Sequence, residues 1–257
     1  MAKHAGDRRN ANETKARTKA SFATRILWFL VCVTLITAGI HLLFQYLNLI
    51  VFSQQVGQFY ELSNRFDLDD ESSVPTWFAQ LLFLAIGVSA LMAAYLQAHK
   101  PARRLWALIA AIGLIFSLDE ISGLHERILQ SLHVLFFQDA TSTGLANAWW
   151  VVLPFVLLAS VWLLWRAVYL LPRRTIRLFV VSGVTFLLGA VITDLLVVAA
   201  PRETFLNQGI FVAVEETLEL LGTVIGLYAI LDYLETQHYD VISKAIKQLK
   251  SAPSRRV

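Results

Sequence analysis

The chain has 257 residues, 56% of them hydrophobic and only 16% charged, with a net charge of +3 and a mean hydropathy of +0.57. Soluble domains run at about 45–50% apolar and about 25% charged, so a disordered chain, a disulfide-stapled secreted scaffold and most soluble enzymes are excluded. The basic residues gather at the flanks of apolar runs, which argues against nucleic acid and for a lipid bilayer as partner.

Residues 1–25 carry seven Lys and Arg and read as a solvated, disordered cytoplasmic tail ahead of a signal anchor. The polar region is too long for a cleavable signal peptide, and no A-x-A site follows the apolar run. A bilayer core of about 30 Å needs about 20 apolar residues of helix. Six stretches qualify: 26–52, 76–97, 105–127, 148–170, 178–200 and 209–233. The predicted fold is all-α, a six-transmembrane-helix bundle over 26–233, with a basic tail over 234–257. Nineteen of the 22 Lys and Arg fall on one side, leaving Arg65, Arg127 and Arg202 for the other. That bias places both termini in the cytoplasm of a bacterial inner membrane. Trp28, Trp106, Trp162 and Trp165 fall at the inner interface, and Trp77, Trp149 and Trp150 at the outer one.

The first span holds the single Cys32, so an intrachain disulfide or a thiolate metal cluster is excluded, and His41 lies in its outer half. The outer loop over 53–75 contains Asp67, Asp69, Asp70 and Glu71 and reads as solvated; it lacks the Gly and terminal Glu of a calcium hand. Pro101 and Pro172 mark tight cytoplasmic hairpins after the second and fourth spans. The third span ends in an acidic run with Asp119, Glu120, His125 and Glu126. Residues 128–138 read as an amphipathic helix along the outer interface. Asp194 lies in the fifth span, and Glu215, Glu216 and Glu219 in the sixth. Gly113, Gly183, Gly189, Gly222 and Gly226 read as close-packing positions. Both acidic patches fall in the outer leaflet, so the opposed pattern of an inverted transporter repeat is missing.

Fourteen of the nineteen acids lie on the outer side or in the outer halves of spans. At 1.5 Å per residue, Asp119, Glu120, Glu215, Glu216, His41 and Asp194 come within about 6–10 Å of the outer surface, with Glu219 about one turn deeper. Glu215, Glu216 and Glu219 share an arc of about 100°, which cannot face lipid. Asp119, Ser122 and Glu126 share another face, while Glu120 points elsewhere, towards Arg127. Oxygen and imidazole donors without thiolate suit Zn, Mn or Fe. The expected ligands are Asp119, Glu126, Glu215, Glu216 and Glu219, with His125 or His41 as nitrogen donor and Asp194 at the same level. Neither the paired E-x-x-H of di-iron bundles nor H-E-x-x-H occurs.

Three functions compete for these acids. A divalent metal site leads; if catalytic, it would act on a lipid or small apolar substrate, with Glu120 as general base. A proton- or cation-coupled transporter is the second, although matching acids are scarce in the inner half. The third uses the acids only to join helices, in a homo-oligomer or a non-catalytic subunit of a larger membrane complex.

Phe116-Ser117-Leu118-Asp119-Glu120 with His125-Glu126, followed by Glu215-Glu216-Thr217-Leu218-Glu219-Leu220-Leu221-Gly222, resembles uncharacterised bacterial multi-pass membrane proteins with F-x-S-x-D-E…H-E and E-E-x-x-E-x-x-G helices. That resemblance implies that the two helices form one site, and it brings no assigned activity. Ceramidase-like hydrolases are set aside, because the late spans lack their zinc-binding His residues.

Overall fold

The structure, a computed structural model, describes residues 21–51, 57–124, 127, 128, 131, 144–197 and 204–238. Regular structure among them is entirely helical. Helix α1 (Phe22–Tyr46) runs on through a π-helical turn (Leu47–Val51), and the short α2 (Gly57–Asn64) follows. The long helices α3 (Val74–Leu96), α4 (Lys100–Ser122), α5 (Gly144–Val168) and α6 (Arg173–Val197) come next. A π-helical turn (Phe205–Phe211) then leads into α7 (Val212–Gln237).

The ends are set by local chemistry. Ser21 and Ser73 cap α1 and α3, each accepting the N–H of the residue three positions on at 3.2 Å, and Pro75 sits in the first turn of α3. Pro101 opens α4, where its missing N–H is no loss. Gly123 closes α4 in the left-handed conformation (φ 54°), its N–H donating to the Asp119 carbonyl at 2.8 Å. The helix therefore stops short of the predicted 127, and the face expected to carry Asp119, Ser122 and Glu126 is cut at Gly123.

Three helical segments, Phe22–Val51, Val74–Leu96 and Lys100–Ser122, are long and apolar enough to cross a membrane; Leu157–Val168 within α5 is a shorter apolar stretch. The antiparallel pairs α3/α4 and α6/α7 pack along their lengths, and α1 and α3 both pack on α7. Twelve residues of α7 are buried, which makes it the axis of the bundle. At Gly222 a Cβ would stand 2.7 Å from the backbone nitrogen of Phe186, so only glycine allows α6 and α7 to approach this closely. Gly183, expected to serve the same purpose, has nothing within 4 Å of its Cβ position.

One end of the bundle is tied by polar contacts to the last turns of α7. The Glu235 carboxylate accepts the N–H groups of Phe22 (3.2 Å) and Ala23 (3.1 Å) at the start of α1. Arg174 at the start of α6 donates from Nε and Nη2 to both oxygens of Asp232 (2.8 and 2.9 Å) and from Nη2 to the Tyr228 hydroxyl (3.2 Å). The hydrogen bond to Asp232, reinforced by its charge and by Tyr228, holds the guanidinium pKa above its ordinary value. Gln97, in the α3–α4 hairpin, donates to the Tyr233 hydroxyl and lies 3.3 Å from His238 Nε2. The α1 start, both hairpins and the α7 end therefore share one end of the molecule. Behind them lies an apolar core around Trp106, Ala90, Ala110, Ile230 and Tyr233, with the Trp106 and Tyr233 ring centroids 4.6 Å apart.

Two expectations follow. Gly222→Ala should cost about 1–3 kcal/mol by overpacking, whereas Gly183→Ala should be neutral or stabilise by up to about 1 kcal/mol; thermal unfolding in detergent compares them. Arg174 is 66% exposed, which discounts its contribution, but Asp232 is buried. Arg174→Gln should therefore still lower stability by about 1–2 kcal/mol, with Arg174→Lys in between.

Candidate carboxylate site

At the other end, the first turns of α7 present Glu215, Glu216 and Glu219, all part-buried. Glycine on α6 makes room for them: a Cβ at Gly189 would meet the Glu215 carbonyl oxygen at 2.8 Å and Glu219 Cγ at 2.9 Å. The acidic charges acting on Glu216 come, in falling order of strength, from Glu219, Asp69, Glu215 and Glu120. Two of the four reach it from outside α7: Glu120 from the last turn of α4, and Asp69 from the segment between α2 and α3. Glu120 thus shares the α7 acid neighbourhood, where the helical wheel sends it away towards Arg127. Asp119 is also part-buried, about 100° around α4 from Glu120.

The 65–73 segment, expected to be solvated, is folded onto the bundle. Asp67 Oδ2 accepts from Gln45 Nε2 at 2.8 Å, and its Oδ1 accepts the Asp69 N–H at 3.2 Å, closing an Asx turn. Asp70 Oδ1 accepts the Ser72 N–H at 2.7 Å in a second such turn, and the Thr76 hydroxyl donates to the Asp70 carbonyl at 2.7 Å. Leu68, only 4% exposed, belongs to the outer apolar core with Ala38, Ala79, Leu82, Ala213 and Leu220. Glu71 lies over Gly123, where any Cβ would run into its carboxylate.

His41 is fully buried on α1. Its Nδ1 accepts the Leu68 N–H at 3.2 Å and lies 3.2 Å from Asp67 Oδ1, so this nitrogen holds the 67–68 turn. Ser117 of the F-x-S-x-D-E motif donates to the Gln80 carbonyl at 3.2 Å and so joins α4 to α3, while Leu118 is 70% exposed. His125 and Glu126 lie outside the described residues, as does the side chain of Asp194. Among the described residues no three His, Cys, Asp or Glu side chains are grouped as a metal ion requires.

The structure therefore brings together Glu120, Glu215, Glu216 and Glu219 of the expected set and adds Asp69, which the sequence reading left in solvent. The signal for that addition lay in a lone Leu68 between acids, in a stretch spaced for two Asx turns ahead of the Ser73 cap. The sequence model of a family described as a domain of unknown function (DUF8692) matches residues 26–234. The chain belongs to that family. The match takes in every element bearing these acids, from α1 through α7. Searches of curated proteins and of solved structures found no match.

Gly189→Ala should force Glu219 and the α7 backbone away from α6, costing about 1–3 kcal/mol in thermal unfolding. Glu219→Ala in the same chain should recover part of that loss, because one of the two clashing groups is then gone.

Proposed function

We propose that this chain is a six-span protein of a bacterial inner membrane, with both termini cytoplasmic, that takes up a divalent cation in a carboxylate pocket open to the outside. The observation that carries the reading is the convergence of Glu120, Asp69, Glu215, Glu216 and Glu219, from three separate segments, around one part-buried position. Carboxylates gathered within an apolar bundle call for compensating positive charge, and an ion supplies it most compactly. An all-oxygen donor set favours the harder members of the Zn, Mn and Fe group. Uptake would draw the long glutamate side chains together by rotation about their χ angles. Asp119 is a further donor at the same helix end, and His125, Glu126 and Asp194 remain candidates from the sequence. Glu120, which reaches the cluster from α4, is the candidate general base should the ion serve catalysis on a lipid or small apolar substrate.

The inner half supports a pocket over a conduit. Trp106, Tyr233, Ile230 and a run of alanines fill it, and Asp232 is engaged by Arg174. The six-span reading draws support from the shared end of the α1 start, both hairpins and the α7 terminus, since an even number of crossings brings both termini to one side.

Elemental analysis of detergent-purified protein grown in metal-replete medium tests the proposal. Near-stoichiometric Mn, Fe or Zn is expected, falling to background in Glu216→Gln/Glu219→Gln. A metal-free wild type with intact fold would overturn it. Alkaline phosphatase fused after residue 70 should be active, and fused after residue 98 or 238 inactive; the reverse pattern would refute the topology.

A further inference from the structure

The geometry points to the 67–69 turn as a lid over the carboxylate pocket, latched by Leu68 and drawn shut when the pocket holds a cation. The second half of this inference rests on the cation reading above; the first half stands on the fold alone.

Three features make the turn a movable unit rather than a fixed wall. First, its flanks are anchored independently of it. The Phe66 N–H donates to the Ser63 carbonyl at 3.0 Å, and the Val74 N–H to the Arg65 carbonyl at 2.9 Å. The Ser73 N–H closes on the Asp70 carbonyl at 3.1 Å. Residues 67–69 can therefore swing between fixed points without unravelling α2 or α3. Second, the turn is held down by few contacts: the Leu68 side chain in the outer core, the Leu68 N–H on His41 Nδ1, and Asp67 on Gln45. These restraints are modest beside those of a packed helix, so transient opening is accessible. Third, Asp69 remains exposed while its charge acts on Glu216.

That last point supplies the coupling. With the pocket empty, Asp69 faces carboxylates of its own sign and the closed lid is disfavoured. With a divalent cation among Glu215, Glu216 and Glu219, the same Asp69 is attracted. A ligand shifts a two-state equilibrium by its differential interaction with the two states, and here the difference resides in one carboxylate on the moving segment. Leu68 supplies the complementary element, a neutral latch that keeps the turn down between binding events.

The test is thiol labelling in a Cys32→Ser background with a membrane-impermeant maleimide. Leu68→Cys should react at least about tenfold more slowly than Ser72→Cys, whose position is exposed. Gln45→Ala should raise the Leu68→Cys rate by about five- to tenfold and leave the Ser72→Cys rate unchanged. Added Mn²⁺ should slow Leu68→Cys further, and Asp69→Asn should remove that slowing. Because replacing Leu68 itself loosens the latch, hydrogen exchange of the 65–73 peptide in the unsubstituted chain serves as the companion measurement. It should show the same protection, again released by Gln45→Ala. Equal rates at Leu68→Cys and Ser72→Cys, or indifference to Gln45→Ala in both assays, would overturn the lid. A Gln45-sensitive lid that ignores Mn²⁺ would overturn the coupling if elemental analysis finds the metal bound. With no metal bound, the same result overturns the cation reading and leaves the lid standing.

Discussion

A helix that carries three carboxylates on one arc cannot be turned towards hydrocarbon, and the rest of the structure follows from that constraint. It makes α7 the axis of the bundle. Its neighbours α1, α3 and α6 cover it, and α6 approaches closely enough to require glycine at two levels, Gly222 and Gly189. The remaining apolar helices need no polar partner and present Leu, Phe and Trp side chains outwards.

The two ends of α7 are solved differently. At one end its acids are consumed by structure: Asp232 takes a two-pronged contact from Arg174, and Glu235 takes the free amides of α1. Nothing there is left to hold a ligand. At the other end the acids are crowded with more acids, from α4 and from the 65–73 segment, an arrangement that helix joining alone does not call for. The same residue type thus divides into a tethering set and a binding set according to what faces it, which is why both ends must be read together.

Much of this was legible in the sequence because it depends on short-range rules. The apolar run over 26–52 became a helical segment over 22–51, and prolines at 101 and 172 marked the hairpins. The acidic stripe of α7 was visible from spacing alone. What spacing could not supply was the identity of the neighbour. A helical wheel states that Glu120 and Asp119 diverge, but only packing decides which of them looks across at α7. The end of α4 was misjudged because hydropathy outweighed a glycine in a polar stretch, although Gly123 in the left-handed region is an ordinary helix terminator. The acidic loop was misjudged because composition averages over residues. One buried leucine and two Asx turns convert a segment that looks solvated into one pressed against the core.

The Glu235 contact has a consequence for how the molecule is made. The amides of Phe22 and Ala23, at the start of the first long helix, find their acceptor 213 and 212 residues later. Throughout synthesis that helix must wait in the translocon's vicinity with its first turn served only by water and the Ser21 hydroxyl. Closure of the bundle is therefore an event at the end of translation, when the last helix arrives and joins the beginning of the chain to its end.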